Sequence, residues 1–334
     1  MLSPCGREIL RRALSVLCSR TVQFPRRPPS VAAYISFFSS ASEAAGDSSR
    51  PPIEVLIINS ASRGVFASRR FVSGDLIYTA KPLVTHPSLA LSDRVCYCCL
   101  RKLKSDALSS SLTIESSSIY CFCSEACRDV SKGCLNVESK ADWSLYHDRC
   151  RIKSLKYPLM VKRFACMVIS GAASANSLDI LQPACLPPEA FSEMEEEFDL
   201  LKSTLLNSQL DEKRLALVHR CACTIRINAF RIELVAGLHE DLFVAAMASL
   251  ANEDAVGNAV YMLPSFHNHD CDPNTHILWI DSAVARLKAL RDIEEGEELR
   301  ICYLDASMGR DARQNLLAQG FGFECRCLRC LSGD

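Results

Sequence analysis

The sequence lacks any apolar run long enough to cross a membrane. Its longest apolar stretch, around residues 31–38, is far below the ~18 residues that a membrane-spanning helix needs. A secretory signal, with a hydrophobic core and a clean cleavage site, is also missing. We therefore expect no membrane association and a compartment in which cysteines stay reduced.

The chain also lacks a strong net charge. Its formal charge is −1, with 38 basic and 39 acidic residues. This total combines a basic leader, residues 1–50, which holds seven Arg and three acids, with a body of 284 residues that carries a charge of −5. A protein that binds nucleic acid through its phosphates is normally basic. The sequence therefore argues against direct nucleic-acid binding.

The leader, residues 1–50, is rich in Arg, Ser and Ala and poor in acids. This composition is typical of an organellar transit peptide, and on a helix residues 9–17 would present a short apolar side beside Arg7, Arg11 and Arg12. The alternatives are a disordered basic tail and a start codon assigned upstream of the true domain. An import signal predicts a mitochondrial or plastid location.

Cysteine, by contrast, is abundant, with nineteen in 334 residues. In a short secreted chain this number would indicate a disulfide scaffold, but several of these cysteines lie at metal-ligand spacings. Zinc is therefore the first expectation. With 49% hydrophobic residues, the chain is long enough for one large or two modest domains around substantial cores.

Short strands at both ends of the body and helices between them predict a mixed, β-rich α+β fold. The predicted strands are 53–58, 65–67, 76–79, 276–280, 284–289 and 299–303. The first three predict one small antiparallel unit. Helical spacing of apolar residues predicts helices over about 189–220 and 241–250, and the Ser-rich residues 105–118 read as a solvated loop.

Two motifs near the carboxy terminus carry the strongest signal. Residues 268–274 read Asn-His-Asp-Cys-Asp-Pro-Asn, and residues 296–303 read Gly-Glu-Glu-Leu-Arg-Ile-Cys-Tyr. Together they resemble the two halves of the active-site signature of SET-domain proteins, with Asp270 in place of the usual Ser. Tyr261 and Ser265 precede the first motif at the family's spacing.

Further elements of the same resemblance follow the family's order over residues 53–334. Residues 63–66, Arg-Gly-Val-Phe, resemble the first SET element, although Ser62 replaces the first Gly of its Gly-x-Gly. Residues 325–330, Cys-Arg-Cys-Leu-Arg-Cys, are similar to a post-SET zinc motif. Residues 96–150 resemble a MYND finger inserted into the domain, as in SET- and MYND-containing methyltransferases and a plant trithorax-related SET protein.

The resemblance implies a SET fold of short twisted sheets with a knot-like carboxy-terminal segment. It divides the chain into the leader 1–50, a SET domain over 53–305 and a post-SET motif over 321–334. The SET domain would be split by a MYND-like insertion, 96–150, and a helical insert, 151–255. The implied activity is methyl transfer from S-adenosylmethionine to a protein lysine, with histone lysine as the conventional substrate class.

The resemblance also implies which residues bind the cofactor. Backbone groups of residues 63–65, the Asn268 side chain and the His269 backbone would hold the methionine part of the cofactor. Asn228, in an Asn-x-Phe element, would also contact the cofactor. The ring of Phe323, two residues before Cys325, would stack on the adenine. The implied cofactor residues are Arg63, Gly64, Val65, Asn228, Asn268, His269, Tyr303 and Phe323.

Tyr303 is the expected catalytic residue, since its phenol would align the sulfonium and the incoming amine. Tyr261 would line the same channel. The lysine must lose a proton, and desolvation together with the nearby sulfonium lowers its pKa, so no dedicated side-chain base is expected. Ser62 and Asp270 depart from the family pattern beside the cofactor pocket and predict, as an alternative, a weakly active or inactive protein.

Structural zinc takes four ligands, and the resemblance supplies two complete sets. Cys271 completes the post-SET set, and two cysteine pairs make the first finger site. The expected ligands are Cys271, Cys325, Cys327 and Cys330 in one set and Cys96, Cys99, Cys123 and Cys127 in the other. A second finger site is incomplete: His147 and Cys150 stand at its end, but residues 100–120 hold no Cys or His. Either Cys98 and Cys121 supply the missing ligands at an unusual spacing, or His147 and Cys150 simply pack in the protein.

The sequence thus predicts a protein-lysine N-methyltransferase that uses S-adenosylmethionine as cofactor and holds structural Zn²⁺. Its expected substrate is a basic, lysine-bearing protein segment such as a histone tail, and it is expected to act as a monomer. The alternative function is an interaction scaffold whose finger recruits a protein partner. A histone substrate would require the nucleus, whereas the leader points to an organelle, so the sequence leaves the compartment open.

Overall fold

The computed structural model describes residues 51–58, 63–103, 112–115, 118–153, 157–174, 176–183, 188–205, 212–235 and 255–334. The leader, Ser62 and the helix expected at 241–250 lie outside the described residues. Within them, five small sheets and seven α-helices form the body.

The first two strands form the expected antiparallel pair. β1 (Ile53–Ile57) pairs with β2 (Arg63–Ala67). The third strand, β3 (Leu76–Ala80), does not join them, so the prediction of one three-stranded unit was wrong. Instead β3 pairs with β11 (Ala285–Ala289), more than two hundred residues later. Its buried residues Ile77 and Tyr78 pack into the main core. The turn before β3 indicates only where the strand begins and does not indicate that it pairs with β11.

Two three-stranded antiparallel sheets form the centre of the body. β10 (Thr275–Leu278) pairs with β11, which pairs in turn with β3. In the second sheet β8 (Gly257–Val260) lies between β4 (Val84–Pro87) and β7 (Ala229–Ile232). A side chain at Gly257 would lie 2.3 Å from the carbonyl oxygen of His86, so the close approach of β8 to β4 requires glycine.

The Ser-rich segment expected to be a solvated loop contains a hairpin, so that prediction was wrong for its second half. β5 (Leu112–Glu115) pairs with β6 (Ser118–Cys121). The sequence of these strands alternates apolar and polar residues and includes β-branched residues, a pattern that favours a short strand. The many serines around this pattern favoured a loop instead, and the alternation was overlooked.

Five helices lie between the strands of the first and last thirds. They are α1 (Glu125–Glu138), α2 (Ser144–Ile152), α3 (Tyr157–Ile169), α4 (Pro188–Leu205) and α5 (Glu212–Asn228). The single helix expected over 189–220 is divided into α4 and α5. Helix α3 was not predicted: Lys162 and Arg163 are buried in it together with the apolar residues, so its polar positions do not mark an exposed face.

The last third brings two distant motifs side by side. β9 (Asn268–His269) pairs in parallel with β12 (Arg300–Ile301), and a 3₁₀ turn, Pro264–Phe266, precedes β9. Two further helices follow, α6 (Arg310–Phe321) and α7 (Leu328–Leu331). No helix in the described part of the chain is long and apolar enough to cross a membrane.

Candidate active site

Asn268 has a fixed amide orientation. Its Nδ2 donates to the carbonyl oxygen of Arg63 at 2.9 Å and to Oε1 of Glu298 at 2.7 Å. Both amide protons are therefore used, and only Oδ1 is left to accept a hydrogen bond from a ligand. An oxygen presented in this way suits an ammonium group, such as that of a methionine moiety.

The residues bonded to Asn268 through Arg63 are small or buried. A side chain at Gly64 would lie 2.7 Å from Oε1 of Glu298 and 2.7 Å from Ile58, and would have to displace one of these side chains. Val65 is fully buried. The Arg63 side chain turns away from Asn268, because its Nη1 donates to the carbonyl oxygen of Ile180 at 2.5 Å. The structure thus brings Arg63, Gly64 and Asn268 together, as expected.

His269 connects this backbone to the carboxy-terminal cysteines. Its Nδ1 lies 3.1 Å from the amide N of Tyr303, which can only donate, so Nδ1 accepts and Nε2 carries the proton. Nε2 lies 3.2 Å from Sγ of Cys271. Burial lowers the pKa of His269 to about 4, and the ring is neutral at pH 7.

Tyr303 is held at both its backbone and its phenol. Its hydroxyl donates to the carbonyl oxygen of His267 at 2.6 Å, and burial, with the nearby charge of Glu298, raises the pKa of Tyr303. The phenol therefore stays protonated at neutral pH and acts as a hydrogen-bonding group rather than as a base.

His267 and Tyr78 support this position and were missed by sequence reasoning. Nδ1 of His267 donates to the carbonyl oxygen of Leu299 at 2.8 Å, and Nε2 accepts from the Tyr78 hydroxyl at 2.8 Å. Burial lowers the pKa of His267 to about 4. The signal available was a His directly before the Asn-His pair, but its partner Tyr78 lies 189 residues away.

Phe323 lies near the same rings. Its ring centroid is 6.0 Å from that of His269 and 6.4 Å from that of Tyr303. Phe323 is 37% exposed, which leaves part of the ring open to a planar ligand. The structure therefore brings Asn268, His269, Tyr303 and Phe323 into one cluster, from three separate segments of the chain.

Tyr261 is buried in a second aromatic group. Its hydroxyl donates to the carbonyl oxygen of Ala283 at 2.6 Å and accepts from Nε1 of Trp279 at 2.8 Å. The ring of Phe230 packs on it edge to face at 5.5 Å. Burial raises the pKa of Tyr261. Trp279 was not foreseen, because its contact depends on the pairing of distant strands.

Asn228 lies at the end of α5, directly before β7. Its amide donates to the carbonyl oxygens of Thr224 at 2.8 Å and Gln182 at 2.9 Å. As at Asn268, both amide protons are used, here by two backbone carbonyl oxygens, and the carbonyl oxygen of the side chain is what Asn228 can offer to a ligand.

The four carboxy-terminal cysteines come together as expected. The sulfur atoms of Cys271, Cys325, Cys327 and Cys330 all lie within 4.8 Å of one another. Cys271 Sγ is 3.5 Å from that of Cys330 and 3.9 Å from that of Cys325. Tetrahedral coordination with Zn–S bonds of ~2.3 Å places sulfurs roughly 3.8 Å apart, so four thiolates here could hold zinc.

Helix α6, which sequence reasoning did not propose, holds this carboxy-terminal cluster in place. Gln314 makes two hydrogen bonds to the backbone of Cys325, at 2.7 and 2.9 Å, and Arg310 donates to the carbonyl oxygen of Cys330 at 2.9 Å. Arg313 is fully buried, with Nη2 3.9 Å from Sγ of Cys330. A buried guanidinium beside thiolates offsets part of their negative charge.

The first finger set also assembles. The sulfur atoms of Cys96, Cys99, Cys123 and Cys127 lie within 4.8 Å of one another, with Cys123 Sγ 3.5 Å from that of Cys99 and 3.6 Å from that of Cys127. Ser124 caps α1 by accepting from the amide N of Cys127, and the cap fixes the turn between the last two cysteines.

The doubtful second finger set does not assemble among the described residues. Nε2 of His147 accepts from the ammonium of Lys162 at 3.1 Å, and burial and the charge of Lys162 lower the pKa of His147 to about 4. Burial raises the pKa of Cys150 to about 11, so its thiol stays protonated. Among the described residues, no group of three or more Cys, His, Asp or Glu side chains forms around His147 and Cys150.

A buried ionic cluster lies where that second set would stand. Lys162 and Glu138, 1% and 2% exposed, form an ion pair. Burial alone would raise the pKa of Glu138, but the charge of Lys162 lowers that pKa to about 2. Tyr97 donates its hydroxyl to Glu138, and Trp143 Nε1 donates to the Glu138 carbonyl oxygen at 2.7 Å. We refer to these four residues with His147 as the Lys162 cluster.

A protein-family model matches most of the chain. The family model described as SET domain matches residues 62–304. That range includes β2, both halves of the carboxy-terminal signature and all of the helices α1 to α5.

Individual proteins also match. The Arabidopsis thaliana protein named histone-lysine N-methyltransferase ATXR4 is 52% identical over 308 residues, which cover 89% of this chain and 93% of that protein. A SET and MYND domain-containing protein of Dictyostelium discoideum is 24% identical over 77% of each chain. A crystal structure of the SET domain of LSMT bound to lysine and AdoHcy has 15% identity and a TM-score of 0.39, and it covers 89% of this chain and 58% of that one.

Proposed function

Because the chain belongs to the SET-domain family, we propose that it is a lysine methyltransferase: it transfers a methyl group from S-adenosylmethionine to the ε-amine of a protein lysine. The observation that carries this proposal is the junction of β9 and β12, where Tyr303 donates from its amide to His269 and from its hydroxyl to the His267 carbonyl oxygen, on either side of Asn268 in the sequence. The histone-lysine methyltransferase name of the Arabidopsis relative makes histone lysine the first substrate class to test.

The cofactor residues fit the chemistry that this reaction needs. S-adenosylmethionine supplies a methyl group on a positively charged sulfur. Asn268 Oδ1 would accept from its ammonium, the backbone at Gly64 would approach its methionine part, and the open face of Phe323 would stack on its adenine. Asn228 would offer its remaining side-chain oxygen.

The catalytic contribution of the protein is orientation. The Tyr303 hydroxyl, fixed by the His267 carbonyl oxygen, would align the lysine nitrogen with the methyl carbon, and Tyr261 would line the lysine channel. Nitrogen gains the methyl group as the carbon–sulfur bond breaks, and the proton lost from the ammonium passes to solvent. No side-chain base is required, because desolvation lowers the lysine pKa.

The two cysteine sets are proposed to bind one structural Zn²⁺ each, since each offers four thiols in the range of tetrahedral coordination. By family resemblance the first set belongs to a MYND-like insertion over 96–150 and the second to a post-SET motif over 321–334. A knot-like carboxy-terminal segment is part of the same proposal. The SET domain, 53–305, would also contain the helical insert 151–255.

The partner proposed is a basic, lysine-bearing protein segment, because the body of the chain carries a charge of −5. An acidic surface attracts such a segment and repels nucleic acid. The protein is proposed to act as a monomer. Its compartment is tested by a reporter fused to residues 1–50: organellar signal would support the transit peptide, and diffuse or nuclear signal would contradict it.

The decisive experiment replaces Tyr303 with Phe. We expect methyl transfer from labelled S-adenosylmethionine to histones to fall about 100-fold, since the loss of one aligning group costs about that much. Affinity for S-adenosylhomocysteine, measured by calorimetry, should stay within about threefold of wild type. Tyr157→Phe is the matched control, because its hydroxyl bonds to Glu197 in the helical region.

The alternative is an interaction scaffold built on the same fold. It predicts that purified wild-type protein transfers no methyl group to histones or to organellar extract. Unchanged transfer by Tyr303→Phe would contradict the role of Tyr303 even if the protein were active. The first outcome would contradict the proposed methyltransferase function, and the second would contradict only the catalytic role of Tyr303.

A further inference from the structure

Asp270, where the family pattern has Ser, has a partner in the neighbouring strand. Arg300 occupies the variable position of the second motif, and β9 and β12 place it beside Asp270: their Nη1 and Oδ2 atoms lie 3.2 Å apart. Two residues that appear unrelated in the sequence therefore form an ion pair in the fold. The Asp270 carboxylate is 17% exposed and the Arg300 side chain 43%.

Arg300 continues from Asp270 towards the cofactor residues. Its Nη2 lies 2.6 Å and its Nε 2.8 Å from Oε2 of Glu298, a fork-like contact that a guanidinium makes well. The other carboxylate oxygen of Glu298, Oε1, accepts from Nδ2 of Asn268. A continuous chain of contacts thus runs from Asp270 through Arg300 and Glu298 to Asn268.

The surrounding backbone leaves this chain of contacts little freedom. The Asn274 side chain accepts from the amide N of Arg300 and donates to the carbonyl oxygen of Glu298, both at 2.8 Å. Gly64 packs so closely on Glu298 that no side chain fits between them. The Glu298 carboxylate is 12% exposed and has few alternative positions.

The orientation of Asn268 depends on this arrangement. A flipped amide would turn Oδ1 towards the Glu298 carboxylate, and two acceptors would face each other. The carboxylate of Glu298 therefore keeps the amide protons inward and Oδ1 outward. Without Arg300, the Glu298 and Asp270 carboxylates would lie near each other with no cation between them, and Glu298 would no longer be held.

We propose that Arg300, oriented by Asp270, is a positioning residue for cofactor binding: it fixes Glu298 and through it the amide of Asn268. This inference rests on the proposed function and adds to it that Asp270 is a compensated substitution rather than a sign of lost activity. Arg300 acts through Glu298 and Asn268 and touches no reacting atom.

The test is a double-mutant cycle, Arg300→Ser, Asp270→Ser and the double variant, measured by calorimetry with S-adenosylhomocysteine. We expect Arg300→Ser to weaken binding about tenfold or more, since charge-assisted hydrogen bonds are lost and two carboxylates stay unpaired. Asp270→Ser should weaken it about threefold. The double variant should bind more tightly than Arg300→Ser alone, because one unpaired carboxylate has been removed.

Arg101→Ser is the matched control. Arg101 forms an exposed ion pair with Asp281 at 2.7 Å, with side chains 52% and 55% exposed, and its loss should change affinity less than twofold. In methyl-transfer assays Arg300→Ser should raise KM for S-adenosylmethionine and leave kcat within about threefold. A generally damaged protein would lose both. If Arg300→Ser does not fold, Arg300→Lys, which keeps the charge without the fork, should bind with intermediate affinity.

Ionic strength gives a second readout. A cavity of about 240 Å³ opens beside Asp270, Arg300 and Glu298, so dissolved ions reach the pair and screen it. Raising the salt concentration should weaken cofactor binding by wild type more than by the double variant. Equal affinity of wild type and Arg300→Ser would overturn the positioning role alone. Failure of wild type itself to bind S-adenosylhomocysteine would overturn the proposed function and this role together.

Discussion

The two cysteine sets offer the same four thiols in very different surroundings. The carboxy-terminal set is one hydrogen bond from the cofactor residues, through His269 and Cys271. The finger set packs in a small core of its own, with Tyr97, Tyr120 and Phe122, and meets the helices through the Lys162 cluster. The comparison teaches that the same four thiols can stand in different surroundings: one set lies beside the proposed cofactor site and the other against an internal interface.

The largest expected effect comes from removing one thiol from each cysteine set and comparing cofactor binding. Cys330→Ser and Cys99→Ser each remove one of four thiolates, so each should lower the bound zinc by one equivalent in elemental analysis. Cys330→Ser should also abolish measurable binding of S-adenosylhomocysteine, because the cysteine segment positions Phe323 and His269. Cys99→Ser should leave that affinity within about threefold. Equal loss of affinity in both variants would show that the two sets serve one function.

A smaller effect concerns the interface beside the finger. Lys162→Met leaves Glu138 buried without its cation, and breaking a buried pair in this way costs about 3–5 kcal/mol of unfolding free energy. Lys132→Met is the control, because its ion pair with Asp129 is exposed and contributes about 0–1 kcal/mol. Denaturant unfolding followed by circular dichroism measures both. A loss below 1 kcal/mol in Lys162→Met would mean that the buried pair does not hold the interface.

The smallest expected effect is that of His147→Gln, which tests whether the finger holds one zinc ion or two. His147→Gln keeps an acceptor for Lys162, so we expect a loss of about 1 kcal/mol in stability and no change in bound zinc. Elemental analysis should give two equivalents for wild type and for the variant. A fall of one equivalent would show that His147 is a ligand and that the finger holds a second metal.

The cysteine sets were predictable because their ligands are close in sequence. Cys96-x-x-Cys99 and the carboxy-terminal spacing fix most of each set, and thiols at such spacings have few other uses. The remaining ligand, Cys271, came from a family pattern rather than from spacing, since it lies 54 residues before Cys325. Of the two strands in the SET signature, β12 lies within the predicted strand 299–303, whereas β9 was not predicted.

The supports of the site could not be predicted, because they are long-range polar contacts. Tyr78 with His267, Trp279 with Tyr261 and the Arg300 contacts all join residues whose pairing depends on the register of separate strands. Helix α6 was missed because few of its residues are buried: within it Arg313 and Leu317 are the buried ones. A buried Arg gives no periodic signal.

The bond between Asn268 and the Arg63 carbonyl oxygen spans 205 positions of the chain, and the site is completed by residues up to Cys330. Contacts of such sequence separation form late, since a long loop must close before they contribute. During synthesis the finger can fold while the ribosome is still translating the last third, whereas the pocket around Asn268 has to wait for nearly the whole chain. A nascent protein should therefore be able to bring Cys96, Cys99, Cys123 and Cys127 together well before the pocket around Asn268 is complete.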